Sequence, residues 1–282
     1  MGRTIQALTA YICLILLYLP SAAVAVFSVN QGRFGLSWRG FTLMWYQRLL
    51  ENEYILEAAF NSLVLAAVST VLATVIGTAL ALGLDRSPWP PRCQRFFDVI
   101  INIPVVVPDI IMAVALVLAF SLLRQLSSFF ELGLGTMILG HVTFQISFVT
   151  LIVRSRLAAL NRDTREAAQD LFASRFYHFR RVTLPLILPG ILAGAMLAFT
   201  LSLDDFIISF FIHGPESVTL PIFIFASLKR GLTPEINAIS TIMLGATVVL
   251  AVAAERLTRS RGGFSEDPFK PLLKPEGRPE PD

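Results

Sequence analysis

Charge is scarce in this chain. Asp, Glu, Lys and Arg make up 15% of its 282 residues, against 55% hydrophobic residues, and mean hydropathy is +0.67. A soluble domain this apolar would have too little polar surface to stay dispersed, so the composition excludes one and implies a multi-span membrane protein. Cysteine is nearly absent: Cys13 and Cys93 cannot build a disulfide framework, and no metal-ligand spacing exists. Also missing are a G-x-x-x-x-G-K-S/T phosphate loop, an H-E-x-x-H zinc pattern and a Ser/His dyad at helical spacing. The chain is therefore read as neither an enzyme nor a nucleic-acid binder, with no cofactor or metal of its own. Any uphill work must draw on a partner or an ion gradient.

Six apolar runs are present, at about 7–28, 60–84, 97–123, 134–153, 186–211 and 237–254. Each is long enough to cross a bilayer as a helix, which predicts an all-α polytopic fold over residues 1–256. Ala23-Val24-Ala25 resembles a signal-peptidase site, but the run continues apolar to Val29 and is read as a retained span. Residues 30–58, with Trp38, Trp45, Tyr46 and Tyr54, read as a segment along the membrane interface. Residues 257–282 are charged and rich in Pro and Gly, the composition of a disordered tail. With the N-terminus inside, only Arg33, Arg39, Arg48, Arg124, Lys229 and Arg230 of the 23 basic residues fall outside. The positive-inside rule therefore predicts both termini in the cytoplasm.

None of the six runs contains Lys or Arg, yet three aspartates lie within them: Asp109, Asp204 and Asp205, with Asp98 at an edge. An ionised Asp at mid-bilayer costs about 2.5–3.5 kcal/mol, to be offset by water, another subunit or a cationic substrate. Asp109 falls about 18 Å into its run, near the midplane. Asn102, seven residues earlier, faces nearly the same way on an ideal helix, and Pro104 and Pro108 free backbone carbonyls nearby. This set suits a cation path; alternatively, Asp109 bonds to a neighbouring helix and holds the bundle together. Small residues recur every fourth position at Ser69, Ala73, Gly77, Ala81 and at Gly190, Gly194, Ala198, Ser202, two smooth strips for close helix contact. On a helical wheel Asp205 lies at about 60° within the second strip and Asp204 at about −40°, on its edge. The two aspartates either share a pore or end a helix in headgroup water. His141 and Gln145, one turn apart, read as interhelical hydrogen-bonding groups. Trp45 reads as part of the interfacial belt, or as a π-face for an ammonium group.

Residues 154–185 form the one long polar stretch between apolar runs, with seven arginines. They read as two short helices, one capped at Asp163 or Thr164 with Glu166 at capping-box spacing, the other starting at Ser174 and stopping before Pro185. Glu166-Ala167-Ala168 with the later Leu184-Pro185 resembles the EAA loop of bacterial ABC-importer permeases. The resemblance extends through RFGLSWRGFTLMWY (33–46), VPDIIMAVALV (107–117), HVTFQISFV (141–149), FTLSLDDFIISFFIHGP (199–215) and TPEINAISTIMLGA (233–246). These stretches are similar to permease subunits of the bacterial spermidine/putrescine importers.

That resemblance implies a type I importer permease in the bacterial inner membrane. Its partners would be a second permease subunit, two copies of a cytoplasmic ATPase carrying ATP and Mg, and a periplasmic polyamine-binding protein. Glu166, Ala167, Ala168, Phe172, Leu184 and Pro185 would couple to the ATPase. Asp109, Asn102, Asp204, Asp205 and Trp45 are the candidates for the substrate path. One position departs from the family pattern: counting from Glu166, Phe172 stands where the loop usually turns on a glycine. Phe does not easily adopt a left-handed turn, so the turn is displaced to Ala173-Ser174, or Phe172 fills an apolar pocket on its ATPase. Two other readings compete: an importer permease for another cationic or zwitterionic solute, and an ion-gradient transporter acting alone.

Overall fold

The computed structural model describes residues 2–32, 37–86, 89–159, 175–230 and 234–261, and among them the chain is helical apart from turns and one isolated antiparallel bridge, Asn30–Phe41. The helices are α1 (Gly2–Phe27), α2 (Met44–Glu51), α3 (Glu53–Arg86), α4 (Pro91–Val106) and α5 (Asp109–Leu123). They continue with α6 (Leu134–Ala158), α7 (Leu184–Asp204), α8 (Ile207–Ile212), α9 (Leu220–Arg230) and α10 (Pro234–Arg261). Among the described residues five segments are long and apolar enough to cross a membrane, six if α4 and α5 count as one broken span.

The centre of the bundle is the trio α3, α6 and α7. The two small-residue strips make it close-packed. A Cβ added at Gly77 would lie 2.9 Å from Val149 Cβ and 3.0 Å from the Ile146 carbonyl oxygen, and one at Gly190 would lie 2.9 Å from Arg156 Cβ. Absence of a side chain lets the backbones approach where lipid supplies little drive for association. Thr150 Oγ1, buried at this contact, donates towards the carbonyls of Ile146 at 2.6 Å and Gly77 at 3.2 Å. Ala81, Val149, Val153, Leu157, Ile187 and Ala198 fill the rest of the seam. Around the trio, α5 and α8 pack on α6 through Phe120, Met137, Phe144, Ile208 and Ile212. At one end, α2, α3, α9 and α10 share a cluster of Trp45, Leu49, Ile55, Ala58, Leu220 and Ile239. Helix α1 packs chiefly on α10, and most of its large apolar side chains stay exposed on the outside of the chain.

Three local features depart from the sequence reading. The run 97–123 is not one helix: α4 and α5 meet at 111°, with Val107 extended (ψ 131°). Pro108 lacks an amide donor and forces the preceding residue out of the helical region, so the break falls there. The run 186–211 likewise ends at Asp204, with Asp205 extended (ψ 125°) before the short α8. Third, no helix stops before Pro185. The turn Arg175–His178 passes through a π-helical stretch, Phe179–Thr183, directly into α7. The Leu184 amide reaches back five residues to the Phe179 carbonyl. This wider turn admits Pro185 without a stop. In addition, α3 begins at Glu53, taking in residues assigned to the interfacial segment, and α10 continues to Arg261, past the expected start of the tail.

Candidate functional site: a buried polar relay and two exposed aspartates

Polar side chains from α3, α6, α7 and α8 converge where the bundle is tightest. Ser69, His141, Gln145 and Ser209 are fully buried, and Ser202 nearly so. Gln145 Nε2 donates to Ser69 Oγ at 3.2 Å and to the Ala198 carbonyl at 3.0 Å. Ser69 Oγ lies 3.3 Å from Ser202 Oγ, which lies 2.7 Å from His141 Nδ1. His141 Nε2 is 3.0 Å from Ser209 Oγ and 3.3 Å from Asp205 Oδ2. The Asp205 carboxylate also accepts from the Ile208 amide at 3.3 Å and the Ser209 amide at 2.8 Å, capping α8.

These groups are placed by their helices. Ser69 opens one small-residue strip and Ser202 closes the other, so both hydroxyls face the seam. His141 and Gln145, one turn apart on α6, both reach across it to α7, and Gln145 also reaches Ser69 on α3. Burial of polar groups here is tolerable because each side chain finds partners; one atom, Gln145 Oε1, has none among the described residues.

The candidate path residues do not form one cluster. Asp205 points into the bundle, its side chain only 9% exposed, as its position among the strip residues predicts. Asp204 ends α7 on the outside of the chain, exposed. Asp109 opens α5 and is also exposed, beside the exposed Val106, Ile110 and Ile111. No hydrogen bond or ion pair joins the Asp109 carboxylate to another described residue, so among those residues it does not tie the bundle together. Asn102 is exposed on α4 and its side chain donates to the Asp98 carbonyl at 2.7 Å, within its own helix. Its alignment with Asp109 assumed a continuous helix, and the bend removes that basis.

Trp45 is packed inside the chain and not laid out on its surface. It is 2% exposed, its Nε1 donates to the Asn30 carbonyl at 2.8 Å, and the Arg48 guanidinium stacks 5.1 Å from its ring. An ammonium ligand would have to displace Arg48 to reach that face. Of the coupling candidates, Leu184 and Pro185 lie at the start of α7 after the π-turn, whereas Glu166, Ala167, Ala168 and Phe172 lie outside the described residues.

The two ends of the bundle differ. At one, Asp98 on α4 pairs with Arg154 on α6 at 2.6 Å, and Arg156 Nε donates to the Leu186 carbonyl at 3.3 Å. Both arginines open the polar stretch. At the other, Arg48 of α2 lies 3.8 Å from Glu235 of α10, and Asn61 Nδ2 of α3 donates to the carbonyls of Glu216 and Val218, both at 3.2 Å. A cavity of about 640 Å³ opens here, its walls including Tyr54, Glu57, Asn61, Glu216 and Glu235 and, among the described residues, no Lys or Arg.

Residues 73–260 match the family described as binding-protein-dependent transport system inner membrane component. The chain is 38% identical over 260 residues to the spermidine/putrescine transport system permease protein PotC of Escherichia coli, covering 92% of this chain and 94% of that one. It is 38% identical over 239 residues to the putrescine transport system permease protein PotI of Escherichia coli, covering 84% and 85%. Among solved structures, a bacterial ABC transporter involved in the import of the acidic polysaccharide alginate matches with a TM-score of 0.72 at 17% identity, covering 94% of this chain and 96% of that one.

Proposed function

The chain belongs to the family of binding-protein-dependent transport system inner membrane components, and on that premise we propose that it is the membrane-spanning subunit of an ATP-driven importer of polyamines. The observation that carries the substrate class is the end-to-end likeness to PotC, which spans more than nine-tenths of both chains. The fold alone would not carry it, since the same architecture serves an importer of an anionic polysaccharide.

Electrostatics support the reading. Asp109 and Asp204 are carboxylates on the outside of a chain whose surface around them is apolar. Facing lipid, each would cost about 2.5–3.5 kcal/mol. A second permease subunit covering them would enclose a water-filled path whose wall carries negative charge and attracts a polycation. The cavity at the other end, with three carboxylates on its wall, would favour cations at the mouth. The basic-residue count puts both termini and the arginine-rich stretch in the cytoplasm. There Glu166, Ala167, Ala168 and Phe172 would meet one of two ATPase subunits, which hold ATP and Mg. Motion of that contact would enter α7 through the continuous helix at Leu184 and Pro185 and reach Asp204 at its far end. A periplasmic binding protein would deliver the polyamine.

Uptake of labelled putrescine and spermidine by proteoliposomes holding the whole assembly, with ATP inside and binding protein outside, tests the proposal. Accumulation that requires ATP and is blocked by excess unlabelled polyamine is the expected result. Uptake of only an uncharged or anionic solute would refute the substrate class.

A further inference from the structure

His141 straddles a break. Its Nδ1 meets Ser202 in the last turn of α7 at 2.7 Å, and its Nε2 meets Asp205 and Ser209 beyond that helix's end at 3.3 and 3.0 Å. The Asp205 carboxylate meets His141, the Ser209 hydroxyl and two backbone amides of α8. No other described side chain bonds to residues on both sides of the break.

The donors and acceptors allow one consistent direction for the whole relay. Gln145 donates to Ser69. In that direction the Ser69 hydroxyl donates to Ser202, and the Ser202 hydroxyl donates to His141 Nδ1. The Nε2–H is then left to donate to Asp205 and Ser209. The Ser202 hydroxyl gives one proton and takes one, while Ser69 takes one from Gln145 and shares its own between Ser202 and the Ala66 carbonyl, 3.4 Å away. Aligned buried bonds of this kind polarise one another and hold a single arrangement of their helices.

We infer that His141 is a positioning residue for transport: it commits Asp205 to holding the α7–α8 break and so leaves Asp204, the adjacent exposed carboxylate, as the one that faces the cationic substrate. The break turns the chain between two neighbouring aspartates, one into the bundle and one outward. Without the imidazole, Asp205 loses its one side-chain partner on α6 among the described residues and keeps only its contacts to α8 itself, the two amides and the Ser209 hydroxyl. The consequence for transport rests on the proposed function; the locking of the break does not.

Two readouts separate these levels. The first is hydrogen–deuterium exchange of the full chain in lipid nanodiscs, comparing His141→Leu, His141→Asn and His141→Gln with the parent. Leu cannot donate and Asn is too short to reach both sides, so residues 206–212 should exchange roughly tenfold faster in either, while residues 65–81 of α3 keep their protection. Gln, which can still donate and accept, should restore most of it. Either loss variant suffices if the other fails to accumulate. Parental protection of 206–212 in the loss variants, or loss spread evenly over α3, α6 and α7, would overturn the inference. The second is polyamine uptake by the assembled importer. His141→Leu should lower kcat, and adding Asp205→Asn should cost little more, whereas adding Asp204→Asn should multiply the loss. Multiplicative effects of His141 and Asp205 would contradict the shared role. If the parent carries no polyamine, the substrate reading fails while the exchange result still stands or falls by itself.

Discussion

Arg154 Nη1 and Asp98 Oδ1 meet at 2.6 Å, joining α6 to α4 where the arginine-rich stretch begins. Both are partly exposed, so the pair is worth about 0–1 kcal/mol of stability. Its use is geometric: it links the first half of the broken span to the helix that leads into the polar stretch. Asp98→Arg should reduce uptake several-fold with the protein still in the membrane. Asp98→Arg with Arg154→Asp should recover most of it. Failure of the swap to recover, measured as uptake per assembled complex, would reduce the pair to surface charge.

Close approach of α3 to α6 should make Gly77 intolerant of a side chain. A Cβ there meets the Ile146 carbonyl oxygen, part of a helix backbone that cannot rotate away. Gly77→Val should destabilise the chain by about 1–3 kcal/mol, read as a lowered Tm in detergent. Gly245→Ala, where nothing lies within 4 Å, is the control and should leave Tm unchanged or slightly raised.

Trp45 should separate folding from transport. Trp45→Phe removes the bond to the Asn30 carbonyl but keeps most of the buried ring. It should cost about 1 kcal/mol of stability and leave the apparent affinity for polyamine unchanged. A large rise in KM with Tm unchanged would return Trp45 to the substrate path.

The exposed aspartates should behave differently from it. Asp109→Asn and Asp204→Asn should each lower polyamine uptake at least tenfold, about 1.4 kcal/mol of lost stabilisation, with membrane level and subunit assembly kept. Neither removes a hydrogen bond or ion pair between described side chains, so neither should lower Tm. Kinetics equal to the parent would move the path away from these carboxylates.

Much of the fold was legible because its signals are local and periodic. The small-residue strips of α3 and α7 follow the helical repeat, and both face the seam as read. Asp205 was placed correctly on the packed face, even though its helix ends one residue earlier. The break itself was not legible, because the apolar run continues through Phe206–Ile212 with Ser209 as its one polar residue. The bend at Pro108 was signalled, but its size was not, so the alignment of Asn102 with Asp109 failed. Pro185 misled in the other direction: a proline normally ends a helix, and only the π-turn at Phe179–Thr183 carries the chain through. His141 and Gln145 were readable as bonding groups, but not with whom, because Ser69, Ser202 and Ser209 are 61–76 residues away in sequence. Trp45 was misread because an aromatic near a membrane end looks the same whether its neighbours are lipid or a folded cap.

The central claim is that polyamine delivery to this chain drives a separate ATPase through the arginine-rich stretch. ATPase activity of the reconstituted assembly, with and without polyamine-loaded binding protein, tests it most directly, with Glu166→Lys as the uncoupled control. Stimulation by putrescine- or spermidine-loaded protein, lost in Glu166→Lys while the complex stays assembled, is the predicted result. Equal ATPase rates with and without polyamine, or stimulation that survives Glu166→Lys, would contradict it.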